Sequence, residues 1–459
     1  MSFKALEKLY KGDSFKHIFL YWLPELITAI VFVVLPPMYD SYLTAQLKSI
    51  ATYGAIGMAS NFLHTLIKLS EALPTAMIAI YGRYNGRKEY EQCGQGLGDT
   101  FWTTCFLGFS QFIIILLGAN FIFRALGVPT EMISIGASFL RIKSLGFFFM
   151  FTPMAFIGFM RTVKNTRMPM FLTSFGVGFY LLIAPLFAFG GLGIHGMGQN
   201  GIALATVIEF AVMNAIAIGY IMFNPEYKKY FPKTFFYIFS FNRVKHLLNI
   251  SWPIIIDKSL VSWSYVWLSS LIAPMGAVAI GSFDIVKNLE RFAFIPAIAA
   301  GQIVSFLVSN RLGRQDPDGA SANIKKVLIL TAFTVIPSLI GLCIFSSYFI
   351  GFFDTTHELS AFASKVLPYI SLLVIFDFTQ IVLSGALRGA GDVKTVMLGR
   401  FLACIVFFFP VSYFLSRFPN VSNTVRFTLT YGAFYLATGV MGLIFLLRMR
   451  NHAWQQRNV

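Results

Sequence analysis

Eight acidic residues stand inside long apolar stretches of this chain: Glu25, Asp40, Glu71, Glu209, Asp257, Asp284, Glu290 and Asp377. Carboxyl groups in such surroundings can bind and release a proton or a metal cation, because desolvation opposes the charged form and only a partner restores it. Spacing sorts the eight. Lys68 with Glu71, Asp284 with Lys287, and Lys287 with Glu290 are three apart and can face one another on a helix, so they read as internal ion pairs and secondary intramembrane charges. Asp40 and Asp377 have no basic residue within a turn, which makes them the leading proton- or cation-coupling residues. Asp257 has Lys258 beside it, but adjacent residues point to different sides of a helix. Pro36 and Pro37, shortly before Asp40, lack N–H donors and predict a bend in the first helix that frees backbone carbonyls beside the acid.

The elements that must position these residues are membrane helices. The chain is 56% hydrophobic, 17% aromatic and only 12% charged, with mean hydropathy +0.70, whereas a soluble domain carries about 25% charged residues. Apolar stretches long enough to cross a bilayer occupy His17 to Leu43, Ile50 to Tyr81, Phe101 to Phe123, Met132 to Met160, Met170 to Gly190 and Gly201 to Phe223. Six more occupy Leu247 to Ala273, Ala277 to Ser309, Val327 to Ile350, Ala361 to Leu387, Val396 to Ser416 and Phe427 to Leu447. The ten-residue alternation of a membrane barrel is absent, so the predicted class is an all-α integral membrane protein. The first apolar stretch is too long, and lacks the small-residue site, for a cleavable signal peptide.

The net charge of +16 follows topology rather than a nucleic-acid surface. Lys4, Lys8, Lys11 and Lys16 precede span one; Arg161 and Lys164 follow span four; Lys228, Lys229, Lys233 and Arg243 follow span six; Arg388 and Arg400 follow span ten, and Arg457 the last. The opposite loops hold few cations, among them Lys48. This bias predicts cytoplasmic termini and a cytoplasmic central loop, and makes the basic residues mostly topological rather than ligand-binding. Cys93, Cys105, Cys343 and Cys404 show no paired spacing and read as packing residues.

Gly158-Phe-Met-Arg161 with Asn165 and Arg167 is echoed 227 residues later by Gly385-Ala-Leu-Arg388 with Asp392 and Lys394. Gly86-Arg87 meets Gly313-Arg314 at the same offset, and Trp22-Leu-Pro24 resembles Trp252-Pro253. A period near half the chain indicates two copies of one unit. Six helices per copy give both copies the same orientation, related by an axis along the membrane normal. The predicted organisation is residues 1–223 as an N-terminal six-helix bundle, 224–246 as a cytoplasmic linker and 247–459 as a C-terminal six-helix bundle. Within the linker, Tyr237 to Leu248 is expected as a short amphipathic surface helix. No phosphate loop, His-Glu-x-x-His helix or Gly-x-Ser-x-Gly elbow is present, which argues against nucleotide hydrolysis and against an enzyme.

Ser384-Gly-Ala-Leu-Arg-Gly-Ala-Gly-Asp-Val-Lys394 resembles the signature after helix ten of the multidrug and toxic compound extrusion (MATE) transporters, and Gly158 to Pro169 its first-half counterpart. Gly201-Ile-Ala-Leu-Ala-Thr206 is similar to that family's opening of helix six, and Asp377-x-x-Gln380 to its acidic position on helix ten. The resemblance implies twelve transmembrane helices as two pseudo-symmetric six-helix bundles around a central cavity. It also implies export of a substrate against inward flow of protons or sodium ions, without a cofactor. Tyr180 and Ala184 replace the Asn and Asp that many members carry on helix five, leaving Asp40 as the acid of the first half. Val261 stands where helix seven often carries a Glu, and Asp257, one turn earlier, is the nearest acid and a third coupling candidate. A sodium cage is therefore disfavoured and a proton preferred. The 51 Phe and 17 Met suit amphiphilic, cationic small molecules. The expected setting is the lipid bilayer of a bacterial-type inner membrane, as a monomer, with no nucleic acid partner. The alternative is a lipid-linked oligosaccharide or peptidoglycan-precursor flippase of the same superfamily, which Lys68, Arg141, Lys143, Lys258, Lys287, Arg291 and Lys365 would favour if they lined a cavity.

Overall fold

The computed structural model describes residues 11–47, 49–125, 130–231, 235–351 and 358–455. Lys4, Lys8, Lys48, Lys233 and Arg457 lie outside the described residues. Span one runs Phe15–Val33 and, after a turn at Val34, Leu35–Gln46; spans two to six are Ile50–Arg87, Tyr90–Ala125, Thr130–Thr162, Arg167–Phe189 and Gln199–Phe223. Spans seven to nine are Phe241–Ile272, Ala277–Gly313 and Pro317–Ile344. Span ten is Glu358–Leu373 followed by Ile375–Gly389, span eleven Val393–Leu402 continuing through a π-helical turn at Ala403–Phe408 into Phe409–Ser416, and span twelve Asn423–Arg450. Among the described residues nine helices are long and apolar enough to cross a membrane, and the two parts of span ten, bent by 43°, make a tenth. Spans two and seven complete the twelve; they are the ones that carry Lys68 with Glu71 and Asp257 with Lys258.

The proline pair acts two residues ahead of itself. Pro36 and Pro37 cannot donate to the carbonyls of Phe32 and Val33, and the helical ladder breaks at Val34, while the two pieces still form one span of 32 residues. Span ten breaks likewise, at Val374, without a proline at the break. Asp40 and Asp377 each lie in the helical piece that follows a break.

The chain forms two compact units, one of Leu23–Ser251 and one of Trp252–Val459 together with the chain up to Trp22. It passes from one unit to the other at Trp22–Leu23 and at Ser251–Trp252, the two places where the Trp-Pro echo falls. Each copy's first helix therefore starts in the other copy's unit. The linker belongs to the first unit. Its expected amphipathic helix does not form: a single 3-10 turn at Phe235–Tyr237 leads into Phe241, already the first turn of span seven. The physical reason is Asp99, fully buried on span three, which accepts from Ser240 N at 2.8 Å and from Arg243 Nε at 2.5 Å and so ties down the entry of span seven.

The position 227 residues after Asp99 is Lys326, on span nine, and it does the same task with opposite charge. Its ammonium donates to the carbonyls of Lys11 and Asp13 at 3.0 and 2.7 Å, fastening the segment that leads into span one. The duplication recurs in the backbone. Lys88 and Gln315, both left-handed at φ 67° and 58°, end spans two and eight, and Lys164 with φ 63° corresponds to Gly391 with φ 79°. Lysine and glutamine adopt these helix-ending conformations at an energetic cost that glycine avoids.

Packing repeats as well. A Cβ on Gly158 would meet Pro74 Cβ at 2.8 Å, and one on Gly385 would meet the Gly301 carbonyl oxygen at 2.4 Å; Pro74 and Gly301 are themselves 227 apart. The glycine of the repeated motif lets spans four and ten approach spans two and eight. Gly385→Ala is expected to lower the thermal unfolding temperature in detergent, with a loss of about 1–3 kcal/mol from overpacking. Gly219→Ala, where nothing lies within 4 Å, should be neutral or stabilising.

Candidate functional site

Asp40 is not unpaired. Lys143 Nζ, on span four, donates to Asp40 Oδ2 at 2.8 Å, and Tyr180 OH, on span five, donates to Asp40 Oδ1. Tyr180 is the residue that stands in place of a polar helix-five position, and it supplies a hydroxyl to the acid instead of an amide. The Lys143 and Asp40 side chains are 10% and 20% exposed, so the pair is not sealed off. Glu209 on span six is buried, at 3% exposed, within electrostatic reach of both Asp40 and Lys143. Tyr39 OH donates to the Leu181 carbonyl at 3.1 Å, which pins the second part of span one to span five beside the acid. The site therefore contains two carboxyl groups, one ammonium and one phenol, on spans one, four, five and six. Sequence spacing missed Lys143 because its partner lies 103 residues away.

The arginines of the repeated motif bind buried acids, a role that the sequence reading did not give them. Arg161 engages Glu25 with two of its nitrogens, Nε to Oε1 at 2.8 Å and Nη2 to Oε2 at 2.7 Å, and Glu25 is 1% exposed. In the second unit Arg388 donates to Asp257 Oδ2 and Arg400, on span eleven, donates to Asp257 Oδ1. Both oxygens of Asp257 thus carry a guanidinium, and the two positive charges hold the carboxylate in its ionised form. That arrangement does not favour Asp257 as an exchanging carboxyl. Asp377 accepts from Gln380 Nε2 at 3.2 Å, and Arg400 Nη2 donates to Gln380 Oε1 at 3.4 Å, so the acid is linked to the Asp257 cluster through one amide.

The secondary charges divide. Lys68 pairs with Glu71 at 3.1 Å and Lys287 with Asp284 at 2.5 Å, as their spacing predicts. Glu290 does not join Lys287; its carboxyl accepts from Tyr431 and Tyr435 of span twelve. Helix spacing allows a contact but tertiary packing chooses the partner: the Glu290 side chain turns into the bundle, whereas Asp284 is exposed. The four cysteines are free, two of them buried. Among the described residues no group of three His, Cys, Asp or Glu could hold a metal ion.

Removing one partner of a buried ion pair leaves an uncompensated charge. Arg161→Ala is expected to destabilise the protein by about 3–5 kcal/mol in thermal or denaturant unfolding in detergent. Combining it with Glu25→Gln should recover part of that loss, and a double-mutant cycle measures the coupling.

The family model MatE matches residues 26–186 and 253–414, that is, both copies. A probable multidrug resistance protein NorM of Pasteurella multocida is 23% identical over 90% of this chain and 89% of its own length. A probable multidrug resistance protein YoeA of Bacillus subtilis is 22% identical over 88% of this chain and 87% of its own. Among solved structures, a point mutant of the MATE transporter VcmN from Vibrio cholerae has a TM-score of 0.87 at 16% identity, covering 96% of this chain and 98% of that one. A transporter of the MOP superfamily from Pyrococcus furiosus has a TM-score of 0.86 at 16% identity over 98% of each chain, and these likenesses carry the fold alone. Both matched segments contain the repeated Gly-x-Met/Leu-Arg motif, and the chain belongs to the MatE family, the multidrug and toxic compound extrusion transporters.

Proposed function

We propose that this chain is a multidrug efflux transporter working as an ion-coupled antiporter, with protons rather than sodium as the driving ion, and that it exports amphiphilic, cationic small molecules by alternating access. The observation that carries the reading is the Asp40–Lys143 pair with Tyr180, placed directly after the break in span one. The names of its relatives, multidrug resistance proteins, support the substrate class.

The coupling follows from charge. With Asp40 ionised, Lys143 is held to span one and the site is satisfied. A proton on Asp40 cancels that attraction and leaves the Lys143 ammonium to the other carboxyl within reach, Glu209 on span six. Exchange of partners by one ammonium gives two discrete arrangements of spans one, four and six, and a proton favours one of them. The break at Val34 lets the second part of span one respond without unwinding the rest. A cationic substrate competes for the same carboxylate, so proton and substrate bind in alternation; only such differential binding can drive a conformational change. Proton coupling is supported over sodium by the donor set, in which an ammonium already occupies the place a metal ion would take.

The flippase reading is not favoured. It needs free cations lining a cavity, and Lys68, Lys143 and Lys287 are each neutralised by a carboxylate. Placement in a bacterial-type inner membrane with cytoplasmic termini, the 1–223, 224–246 and 247–459 division as functional bundles, and action as a monomer belong to the same proposal.

In liposomes, efflux of a fluorescent cation is expected under an imposed proton gradient and not under a sodium gradient alone. Asp40→Asn should reduce proton-driven efflux at least about tenfold, the effect of losing about 1.4 kcal/mol or more of coupling. Lys143→Met should shift the pH dependence of efflux rather than merely lower its rate. Wild-type efflux in the Asp40→Asn vesicles would remove Asp40 from the mechanism, and extrusion driven by sodium alone would reverse the choice of ion.

A further inference from the structure

One buried acid has no part in that scheme. Glu290, in the middle of span eight, is 1% exposed, and its two hydrogen-bond partners belong to an apolar cluster of the second unit, where Tyr431 packs against Phe283 and Tyr435 against Phe294 and Phe434. Tyr431 and Tyr435, one turn apart on span twelve, both donate to Glu290 Oε2, at 2.5 and 2.6 Å, and their hydroxyls lie 3.4 Å apart. Oε1 is buried and has no hydrogen-bond partner among the described residues. Among those residues neither a lysine nor an arginine pairs with it; Lys287, three residues earlier, is held by Asp284.

A carboxyl with one oxygen doubly served and the other bare is suited to gaining and losing a proton. In the ionised state two hydroxyl donors on Oε2 stabilise the charge, and such charge-assisted bonds are short and strong. Adding a proton at Oε1 removes a buried, uncompensated charge while Oε2 continues, as the carbonyl oxygen, to accept from both tyrosines. No side chain has to move for either state. A metal ion fits poorly, because three side chains offer only four oxygens and two of these are phenols committed to Glu290. Asp377 acts electrostatically on Glu290, so the occupancy of one acid is felt by the other on span ten.

We propose that Glu290, with Tyr431 and Tyr435 as positioning residues, is a second proton-binding site of the transport cycle, which takes up one proton at Oε1 and releases it, in the unit that does not hold Asp40. The proposal rests on the proton-antiport reading, and its test separates the two. In infrared spectra of the purified protein in liposomes, without substrate, the carbonyl band of a protonated carboxyl should decline as pH rises across roughly pH 5 to 9. It should be absent in Glu290→Gln, shifted in Tyr431→Phe and Tyr435→Phe, and retained in Glu290→Asp and Asp40→Asn. Glutamine keeps an oxygen acceptor for both tyrosines, so folding should survive; in that variant, protons moved per substrate should fall by one and gradient-driven efflux about tenfold. A Glu290 band that stays constant over the whole pH range would overturn the proposal, as would Glu290→Gln vesicles with wild-type efflux and proton count. Loss of proton coupling in the wild type alone, with a titrating Glu290 band, would instead overturn the antiport reading.

Discussion

In each unit an acid of the copy's first span is bound by the arginine at the end of its fourth: Glu25 by Arg161, and Asp257 by Arg388. Most of the remaining arrangement depends on this pair. A carboxylate and a guanidinium buried together tolerate little displacement, since separating them leaves two charges in an apolar surrounding. The same arginine follows, by three residues, a glycine whose missing side chain allows spans four and ten to lie against Pro74 and Gly301. One short motif thus sets both the charge contact to the first span and the steric contact to the second. Just after it, Asn165 accepts from the Met168 amide at 3.1 Å, and Asp392 accepts from the Thr395 hydroxyl at 2.8 Å and from Arg448 at 2.7 Å, so the start of the fifth span of each copy is fastened too.

On that common frame the copies have diverged in their remaining buried acids. The first holds the Asp40–Lys143 ion pair, with Glu209 within electrostatic reach of both. The second has doubled its fixed pair into a cluster by adding Arg400 on span eleven, and keeps its loose carboxyl elsewhere, at Glu290. Asp99 and Lys326, at matching positions with opposite charge, hold the entering segments of spans seven and one. The buried acids differ in what takes their oxygens: Asp257 and Glu25 carry guanidinium nitrogens on both, Asp40 carries an ammonium on one and a phenol on the other, and Glu290 leaves Oε1 bare.

Duplication, the all-helical membrane class and the bend before Asp40 were legible in the amino-acid sequence, because each rests on local chemistry: apolar run length, proline's missing N–H and motifs repeated at one offset. The ion pairs at spacing three, Lys68 with Glu71 and Asp284 with Lys287, were legible for the same reason. Only the tertiary structure decided that Asp40 has a lysine, that Glu290 turns to two tyrosines instead of Lys287, and that the arginines of the repeated motif hold Glu25 and Asp257. Those partners lie 103 to 145 residues apart in the chain, and nothing in the local sequence ranks one distant cation or hydroxyl over another. Helix packing brings them within hydrogen-bond distance, and a low-dielectric interior then makes each choice of partner decisive.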